Sequence, residues 1–86
     1  METELIICEI KKIIINSMQL NIVPEDIKGN DLIAELGINS IDALEIFVWI
    51  ENSFDIQIDD EDLSSTLLGS IDYLANYIYQ KRNSNT

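Results

Sequence analysis

A serine at the start of the clearest helical pattern is the residue best placed for chemistry. Ser40 lies in the stretch LGINSIDALEIFVWIE, residues 36–51, directly after Asn39. Asn39 is a good N-cap, and Asp42 three residues later can return a hydrogen bond as a variant of the capping box. We therefore expect the Ser40 hydroxyl to be exposed in the first turn, near the positive end of the helix dipole. That position suits a phosphodiester, although a second capping serine is the simpler local interpretation.

The same serine is not placed to act as the nucleophile of an enzyme. The chain has no histidine. Its basic residues all lie far from Ser40 in the sequence, at Lys11, Lys12, Lys28, Lys81 and Arg82. No obvious base is therefore available to activate the hydroxyl. The acidic run DDED at 59–62 lacks the alternating ligands and central glycine of a calcium loop, so we expect neither catalysis nor a metal site.

The helix that begins at Ser40 has apolar residues on both of its faces. At roughly 100° per residue, the face that must point to the core holds Ala43, Ile46, Phe47, Ile50 and Phe54. The opposite face holds Ile41, Leu44, Val48, Glu45, Glu51 and Asn52, with Trp49 at the boundary. An aliphatic patch with an acidic rim is typical of a docking surface. The alternative is that Leu44 and Val48 pack beneath the long loop or a short third helix, and periodicity alone does not decide between the two.

Helical periodicity also predicts the elements that position this segment. Ile6, Ile7, Ile10, Ile13, Ile14 and Met18 form one stripe of a first helix over residues 2–18. A long connection follows, packed down by Ile22, Val23 and Ile27, with one short turn at DLIAEL that ends at Gly37.

The second half of the chain is predicted by the same signals. After the helix over 40–53 comes an extended stretch, FDIQI, and then a short helix over 60–66 started by Asp59 and Asp62. A last helix over 71–81 precedes a frayed tail at 83–86. The prediction is an all-α protein, a small four-helix bundle with three main helices, a short third one, and a long loop between the first and second.

Charge is the unusual feature of the composition. The 86 residues include 16 acidic and 5 basic ones, for a formal net charge of −11. This balance argues against nucleic acid and anionic membranes as partners, and it favours basic patches on other proteins. The single cysteine, the acidic N-terminus METE and the charged residues within the first apolar run predict a cytoplasmic protein without a signal peptide or membrane span. We expect one domain, residues 1–86, and a monomer.

The stretch LGINSIDALEIFVWIENSFDIQIDDEDL resembles the acyl carrier proteins. That family has a Gly-x-Asp-Ser-Leu segment opening its second helix, then an acidic and aliphatic helix, a Phe, and an Ile before acidic residues. The positions in step here are Gly37, Ser40, Glu45, Phe54, Ile58 and Leu63, together with EIKKII and SIDYLANYI. The resemblance covers residues 5–80 in order. Asn39, Ile41 and Trp49 depart from the family's usual Asp, Leu and smaller residue, which suggests a specialised carrier.

The resemblance implies that a phosphopantetheinyl transferase attaches 4′-phosphopantetheine from coenzyme A to Ser40, and that the arm's thiol then holds an acyl group as a thioester. The protein would be a carrier and not an enzyme, delivering acyl intermediates to fatty-acid, lipid or polyketide-type biosynthetic enzymes. The family's partner-binding face matches Ile41, Asp42, Leu44, Glu45, Val48 and Glu51. Acyl-loading and acyl-processing enzymes would meet its carboxylates with basic docking patches. The family's bundle can also shelter a bound chain.

Two alternatives compete with the acyl carrier hypothesis. An aminoacyl or peptidyl carrier, including the D-alanyl type, would use the same serine, but the peptidyl type usually has Gly-Gly-x-Ser where this chain has GINS. An unmodified acidic interaction domain of the same fold would dock a basic partner with the same helix face. It would make no demand on the Ser40 hydroxyl.

Overall fold

The computed structural model describes residues 2–84 and is built from helices and turns. Its α-helices are α1 (Glu2–Met18), α2 (Leu32–Leu36), α3 (Ser40–Phe54) and α4 (Ile71–Ser84). Short 3-10 turns cover Pro24–Asp26, Asp60–Asp62 and Ser65–Leu68. The all-α prediction is confirmed, because three long helices and one short helix form a small bundle. The short helix, however, is α2, which lies within the long connection between α1 and α3.

Helix α1 packs against both α3 and α4 and supplies one side of the core. Its isoleucines recur at i, i+3 and i+4, so one stripe faces inward along the whole helix. The buried side chains of the three long helices are Ile6, Ile10, Ile13, Ile14, Ile46, Phe47, Ile50, Ile71, Leu74, Ala75 and Ile78. Burying a side chain of the larger kinds contributes about 1.5–3 kcal/mol relative to leaving it exposed. This core fixes which face of α3 remains available to solvent.

The long connection is held against the start of α4. Gly29 has a φ of +85° and lies so close to Ile71 that an added Cβ would collide with the Ile71 Cγ2 atom. The Ile71 amide donates to the Gly29 carbonyl at 2.9 Å, and the Leu32 amide donates to the Gly69 carbonyl at 3.1 Å. These contacts place α2, and therefore the approach of the chain to α3, in a defined position relative to α4.

Glu35 of α2 closes the same loop through its side chain. Its two carboxylate oxygens accept hydrogen bonds from the backbone amides of Lys28 and Gly29, at 2.7 and 2.9 Å. These two hydrogen bonds hold the pKa of the Glu35 carboxyl below its ordinary value. The sequence pattern marks Glu35 only as a polar residue of a short turn, so this role was not predicted.

The prediction that Val23 packs onto the core is wrong. Ile27 is buried and Ile22 packs against the core, as expected, but Val23 is exposed. Val23 immediately precedes the 3-10 turn that starts at Pro24, and its backbone is extended there. The turn brings Ile27 inward and leaves the Val23 side chain facing solvent.

The predicted short helix over 60–66 is also wrong. The chain instead forms the 3-10 turns Asp60–Asp62 and Ser65–Leu68, and the Asp59 side chain makes no capping hydrogen bond. The Asp59 carboxylate is 2.9 Å from Lys81 Nζ, and the Asp62 carboxylate accepts a hydrogen bond from the Tyr77 hydroxyl at 2.7 Å. Both acidic side chains are therefore engaged by α4 and do not form a capping box.

Helix α4 begins where it was predicted and runs longer than expected. It extends from Ile71 to Ser84, with Lys81 and Arg82 in its last turn, where cations favour the helix dipole. Residues 83 and 84 of the predicted frayed tail are thus helical, and residues 85 and 86 lie outside the described part. None of the helices within residues 2–84 has both the length and the apolar character needed to cross a membrane.

Candidate functional site

The start of α3 is positioned by the C-cap of α2 and by its own N-cap. Gly37 ends α2 in a left-handed conformation, with φ of +65°, and its amide donates to the Ile33 carbonyl at 2.9 Å. Asn39 follows as the N-cap of α3: its Oδ1 atom accepts a hydrogen bond from the Asp42 amide at 2.7 Å. The Asp42 carboxylate accepts one from the Asn39 amide at 3.4 Å. The predicted capping box is therefore confirmed.

Ser40 is the first residue of α3 and is exposed. Because Asn39 supplies the capping oxygen, the Ser40 hydroxyl is not needed for the cap. It lies in the first turn of a 15-residue helix, where unpaired backbone amides and the helix dipole favour a negatively charged group. The structure thus leaves Ser40 sterically accessible and in a setting that fits a phosphodiester.

An apolar groove opens beside Ser40. It has a volume of about 450 Å³, and Ile33, Ile38, Ala43, Leu44, Phe47 and Leu63 form its apolar walls. Asn39, Ser40, Ser64 and Ser65 complete its lining, so the groove lies between α3 and the segment that precedes α4, and Ser40 borders it. A chain attached to Ser40 therefore has an apolar surface within reach.

Sequence reasoning did not identify this groove. One signal was available: Ile38 directly precedes the N-cap and Ala43 is the fourth residue of the helix, which is the spacing of a hydrophobic staple. Both line the groove. The opposite wall, formed by Leu63 and its two serine neighbours, comes from a segment whose local structure was predicted incorrectly.

The outward face of α3 carries a contiguous apolar patch. The exposed fractions are 70% for Ile41, 57% for Leu44, 53% for Val48 and 43% for Trp49. Leu44 and Val48 therefore do not pack beneath the long connection or beneath the segment 60–68. The structure therefore excludes the second of the two hypotheses for this face, burial of Leu44 and Val48. The aliphatic patch is open to solvent, as a docking surface requires.

The three acidic residues predicted for this face differ in their surroundings. Glu45 is exposed, and Asp42 is half-buried and takes part in the capping box. Glu51 is half-buried, and its Oε2 atom accepts a hydrogen bond from the Ile58 amide at 2.8 Å. Glu51 therefore fastens the extended stretch after α3, a structural role that its position on the helical wheel did not indicate.

The segment that forms the far wall of the groove is tied to α4 by two side-chain contacts. The Tyr77 hydroxyl donates to the Asp62 carboxylate, and burial together with this hydrogen bond raises the pKa of the Tyr77 hydroxyl. Lys81 donates to Asp59 at 2.9 Å, which raises the pKa of the Lys81 ammonium group. These contacts hold residues 59–62 against α4 and so set the position of Leu63.

Other parts of the surface are less suited to a site. A hollow of about 640 Å³ lies between residues 55–60 and Lys81, but it is open and mainly polar, and Ser40 does not line it. Within residues 2–84, no group of three or more histidine, cysteine, aspartate or glutamate side chains is arranged to hold a metal ion.

Comparisons with known proteins show which family the chain belongs to. The family model described as "Phosphopantetheine attachment site" matches residues 15–78. The acyl carrier protein of Buchnera aphidicola subsp. Schizaphis graminum is 44% identical over 71 residues, which cover 79% of this chain and 87% of that protein. No solved structure matches significantly. The chain therefore belongs to the acyl carrier protein family, whose members hold a 4′-phosphopantetheine group and are carriers rather than enzymes.

Proposed function

We propose that Ser40 is the residue that carries the 4′-phosphopantetheine arm. The observation that carries this proposal is the division of roles at the start of α3, where Asn39 caps the helix and Ser40 stays exposed. In the loading step the Ser40 oxygen attacks the phosphorus that bears the pantetheine in coenzyme A. The P–O bond to the adenosine 3′,5′-bisphosphate breaks, that group leaves, and the serine proton passes to a base of the transferase. The sequence has no histidine, and its basic residues lie far from Ser40 along the chain, so this step needs a separate phosphopantetheinyl transferase.

We propose further that the thiol of the arm holds an acyl group as a thioester. The apolar groove beside Ser40 supports an acyl cargo, because its walls match a hydrocarbon chain better than a charged amino acid. The cargo is delivered to fatty-acid, lipid or polyketide-type biosynthetic enzymes of the cytoplasm. The carrier acts as a monomer, since delivery requires that α3 stay accessible.

The docking surface for these enzymes is the outward face of α3. We define it by Ile41, Asp42, Leu44, Glu45 and Val48, with Glu51 at its C-terminal margin. The aliphatic side chains supply area that is desolvated on contact, while the carboxylates attract basic patches of the enzymes. Because the Glu51 carboxylate already binds the Ile58 amide, Glu51 contributes to the surface mainly through its charge.

The attachment residue is tested by measuring intact mass before and after incubation with coenzyme A and a broad-specificity transferase. We expect a gain of one phosphopantetheine group in the wild type and none in Ser40→Ala. Ser53→Ala is the matched control, since Ser53 is an exposed serine of the same helix and its replacement should leave the gain intact. Circular dichroism establishes that both variants are folded.

Two outcomes would contradict the proposal. A mass gain that persists in Ser40→Ala would place the attachment at another residue. No gain in the folded wild type, nor in an Asn39→Asp variant that restores the family's usual residue, would favour the unmodified docking domain instead.

A further inference from the structure

Residues 59–66 form a lightly held segment between α3 and α4, which we call the flap. Six of its eight residues are exposed. The flap is anchored at its two ends by the buried side chains of Ile58 and Leu67. Within it, the Leu63 amide donates to the Asp60 carbonyl at 3.2 Å, which closes a 3-10 turn. A hydrogen bond of this kind does not fasten the flap to a helix, and exposed segments with local hydrogen bonds open at a low cost in free energy.

The flap is the wall of the groove that is free to move. Its Leu63 lines the groove opposite Phe47 of α3. Helix α3 is held in the core by Ile46 and Ile50, which are fully buried, and α2 is fastened through the Glu35 carboxylate. Close-packed interiors resist displacement. A cargo larger than the groove is therefore admitted only if the flap moves outward.

The groove is small for a long hydrocarbon chain. Its volume of about 450 Å³ lies near the lower end of the range of about 300–1,000 Å³ that is usual for small-molecule sites. Burial of each methylene group stabilises the loaded protein, so longer chains should stabilise it more until the groove is full. We expect an octanoyl chain to be buried in the groove. A hexadecanoyl chain, with twice as many carbons, must displace the flap or leave its end in solvent.

The contact that holds the flap is the hydrogen bond from the Tyr77 hydroxyl to the Asp62 carboxylate. Both side chains are half-buried, the two oxygen atoms are 2.7 Å apart, and Tyr77 packs against the core. A hydroxyl that donates to a carboxylate makes one of the stronger kinds of hydrogen bond. Asp62 directly precedes Leu63, so this bond fixes the residue that lines the groove. The second contact joins Lys81 to Asp59, whose side chains are 28% and 55% exposed, and exposed ion pairs contribute little.

We propose that Tyr77 and Asp62 determine the specificity of this carrier for acyl-chain length, because their hydrogen bond keeps the flap closed and so limits the length of chain that the groove can bury. The inference rests on the proposed attachment of an acyl cargo at Ser40. In the wild type, the end of a chain longer than the groove stays in solvent. Without the hydrogen bond, the flap moves outward and the same end is buried. A bond with a merely structural role would instead stabilise the protein equally, whichever chain it carried.

Calorimetry of the carrier loaded with chains of different length tests this role. A broad-specificity transferase loads it from butyryl-, octanoyl- and hexadecanoyl-coenzyme A, and intact mass establishes that loading is complete. We expect the wild type to melt several degrees higher with octanoyl than with butyryl, and to gain little more with hexadecanoyl. Tyr77→Phe, which keeps the packed ring and removes only the hydroxyl, should melt lower in every form. In this variant, however, hexadecanoyl should add several further degrees over octanoyl.

Substitutions of Asp62 separate the hydrogen bond from the charge. Asp62→Ala should behave like Tyr77→Phe, and the double variant should gain no more from hexadecanoyl than either single variant, because both changes remove the same bond. Asp62→Asn keeps a side-chain oxygen that can accept from the hydroxyl, and it should restore the small hexadecanoyl gain of the wild type. Tyr79→Phe removes a hydroxyl from a 38% exposed tyrosine of the same helix, and this matched control should behave as the wild type.

The results separate the inference from the function on which it rests. A wild type that gains no mass from any of these coenzyme A thioesters contradicts the proposed function. A wild type that is loaded, with Tyr77→Phe showing the same gain from octanoyl to hexadecanoyl, contradicts the inference alone. Melting temperatures that do not depend on chain length in any variant would also overturn the inference, since the chain would then not enter the groove.

A second measurement uses the wild type alone and does not depend on the folding of any variant. Octanoyl and hexadecanoyl chains with an isotope-labelled terminal methyl group are attached, and a soluble paramagnetic agent is added. We expect the agent to broaden the methyl NMR signal of hexadecanoyl, whose end lies in solvent, and to leave that of octanoyl sharp. Protection of the hexadecanoyl methyl group in the wild type would overturn the proposal, because the closed flap would then not limit the chain.

Discussion

At the scale of single residues, the proposed attachment gives Asn39 and Ser40 two separate tasks that one serine could not perform together. A serine that caps a helix has its oxygen engaged by a backbone amide, whereas a serine that carries a phosphodiester must keep that oxygen free for the bond to phosphorus. In this chain Asn39 Oδ1 accepts the hydrogen bond from the Asp42 amide, and Ser40 is the first residue of the helix, one position after the cap. The cap therefore protects the helix start whether or not the serine is modified.

Removing the cap should weaken the fold without removing the serine. We expect Asn39→Ala to lower the free energy of unfolding by about 1 kcal/mol, the usual loss when a side-chain cap is deleted. Urea unfolding followed by circular dichroism measures the change. Asn52→Ala, which replaces an exposed asparagine inside the same helix, is the control and should be neutral or slightly stabilising. Equal losses in both variants would mean that the Asn39 cap contributes nothing specific.

Two glycines with positive φ allow backbone strain to be separated from steric collision. Gly29 and Gly37 have φ of +85° and +65°, but an added Cβ would collide with Ile71 at Gly29 and would meet nothing within 4 Å at Gly37. We expect Gly37→Ala to cost about 1 kcal/mol from the left-handed backbone alone. Gly29→Ala should cost about 1–3 kcal/mol more, since the core must also accommodate an extra methyl group. Equal losses in urea unfolding would contradict the close packing of the connection on α4.

At the scale of elements, carboxylates fasten the connections to the helices. Glu35 binds the amides of Lys28 and Gly29, Glu51 binds the amide of Ile58, and Asp62 accepts from Tyr77. Each is a contact between residues six or more positions apart in the sequence. The periodicity of the sequence identifies such a residue only as polar and does not give a partner six or more positions away. None of these contacts was therefore predicted.

The segment after α3 was predicted incorrectly because its structure depends on contacts with a distant helix. The three long helices and the α3 cap follow from periodicity and cap chemistry, which are local, and they were predicted to within a few residues. Asp59 and Asp62 have the spacing of a capped helix start, yet Lys81 and Tyr77 of α4 engage their side chains and the chain forms 3-10 turns. Because this segment also supplies one wall of the groove, the groove was not predicted, although the exposed position of Ser40 and the exposed face of α3 were.

The Glu35 contact should make stability depend on pH in a defined direction. Its pKa lies below the ordinary value of 4.5, because the amides of Lys28 and Gly29 stabilise the carboxylate. The contribution of this contact to the free energy of unfolding is therefore fully present at pH values above 4.5. It is lost as the pH falls through the lowered pKa of Glu35 in the folded state. We expect Glu35→Gln to be less stable than the wild type at pH 7, with a difference that shrinks towards about pH 3.

Urea unfolding of both proteins across this pH range measures the difference. Glu61→Gln, which replaces an exposed carboxylate in the acidic segment, is the matched control and should not be less stable than the wild type at neutral pH. A constant difference between wild type and Glu35→Gln at all pH values would show that ionisation of Glu35 is irrelevant to the contact.

At the scale of the whole molecule, the charge excess acts in opposite directions on folding and on docking. With 16 acidic and 5 basic residues, the folded chain brings like charges together, and their mutual repulsion opposes the compact state. In the proposed docking, the same field attracts basic enzymes and speeds their encounter with α3. Under that proposal, one property of the composition lowers stability while it promotes delivery.

Added salt should stabilise the fold and weaken the docking, because it screens both the repulsion within the chain and the attraction to the enzyme. Raising NaCl from about 0.02 to about 0.3 M shortens the Debye length and screens both interactions, so we expect the melting temperature to rise by several degrees while the KM for loading by the transferase also rises. Calorimetry and loading kinetics measure the two responses on the same protein. In an Asp60→Asn, Glu61→Gln double variant, which removes two exposed charges away from α3, the gain in melting temperature should be smaller and the salt dependence of KM nearly unchanged. A melting temperature that does not respond to NaCl would mean that repulsion is not what limits stability, and a KM that does not respond would remove the electrostatic basis of docking.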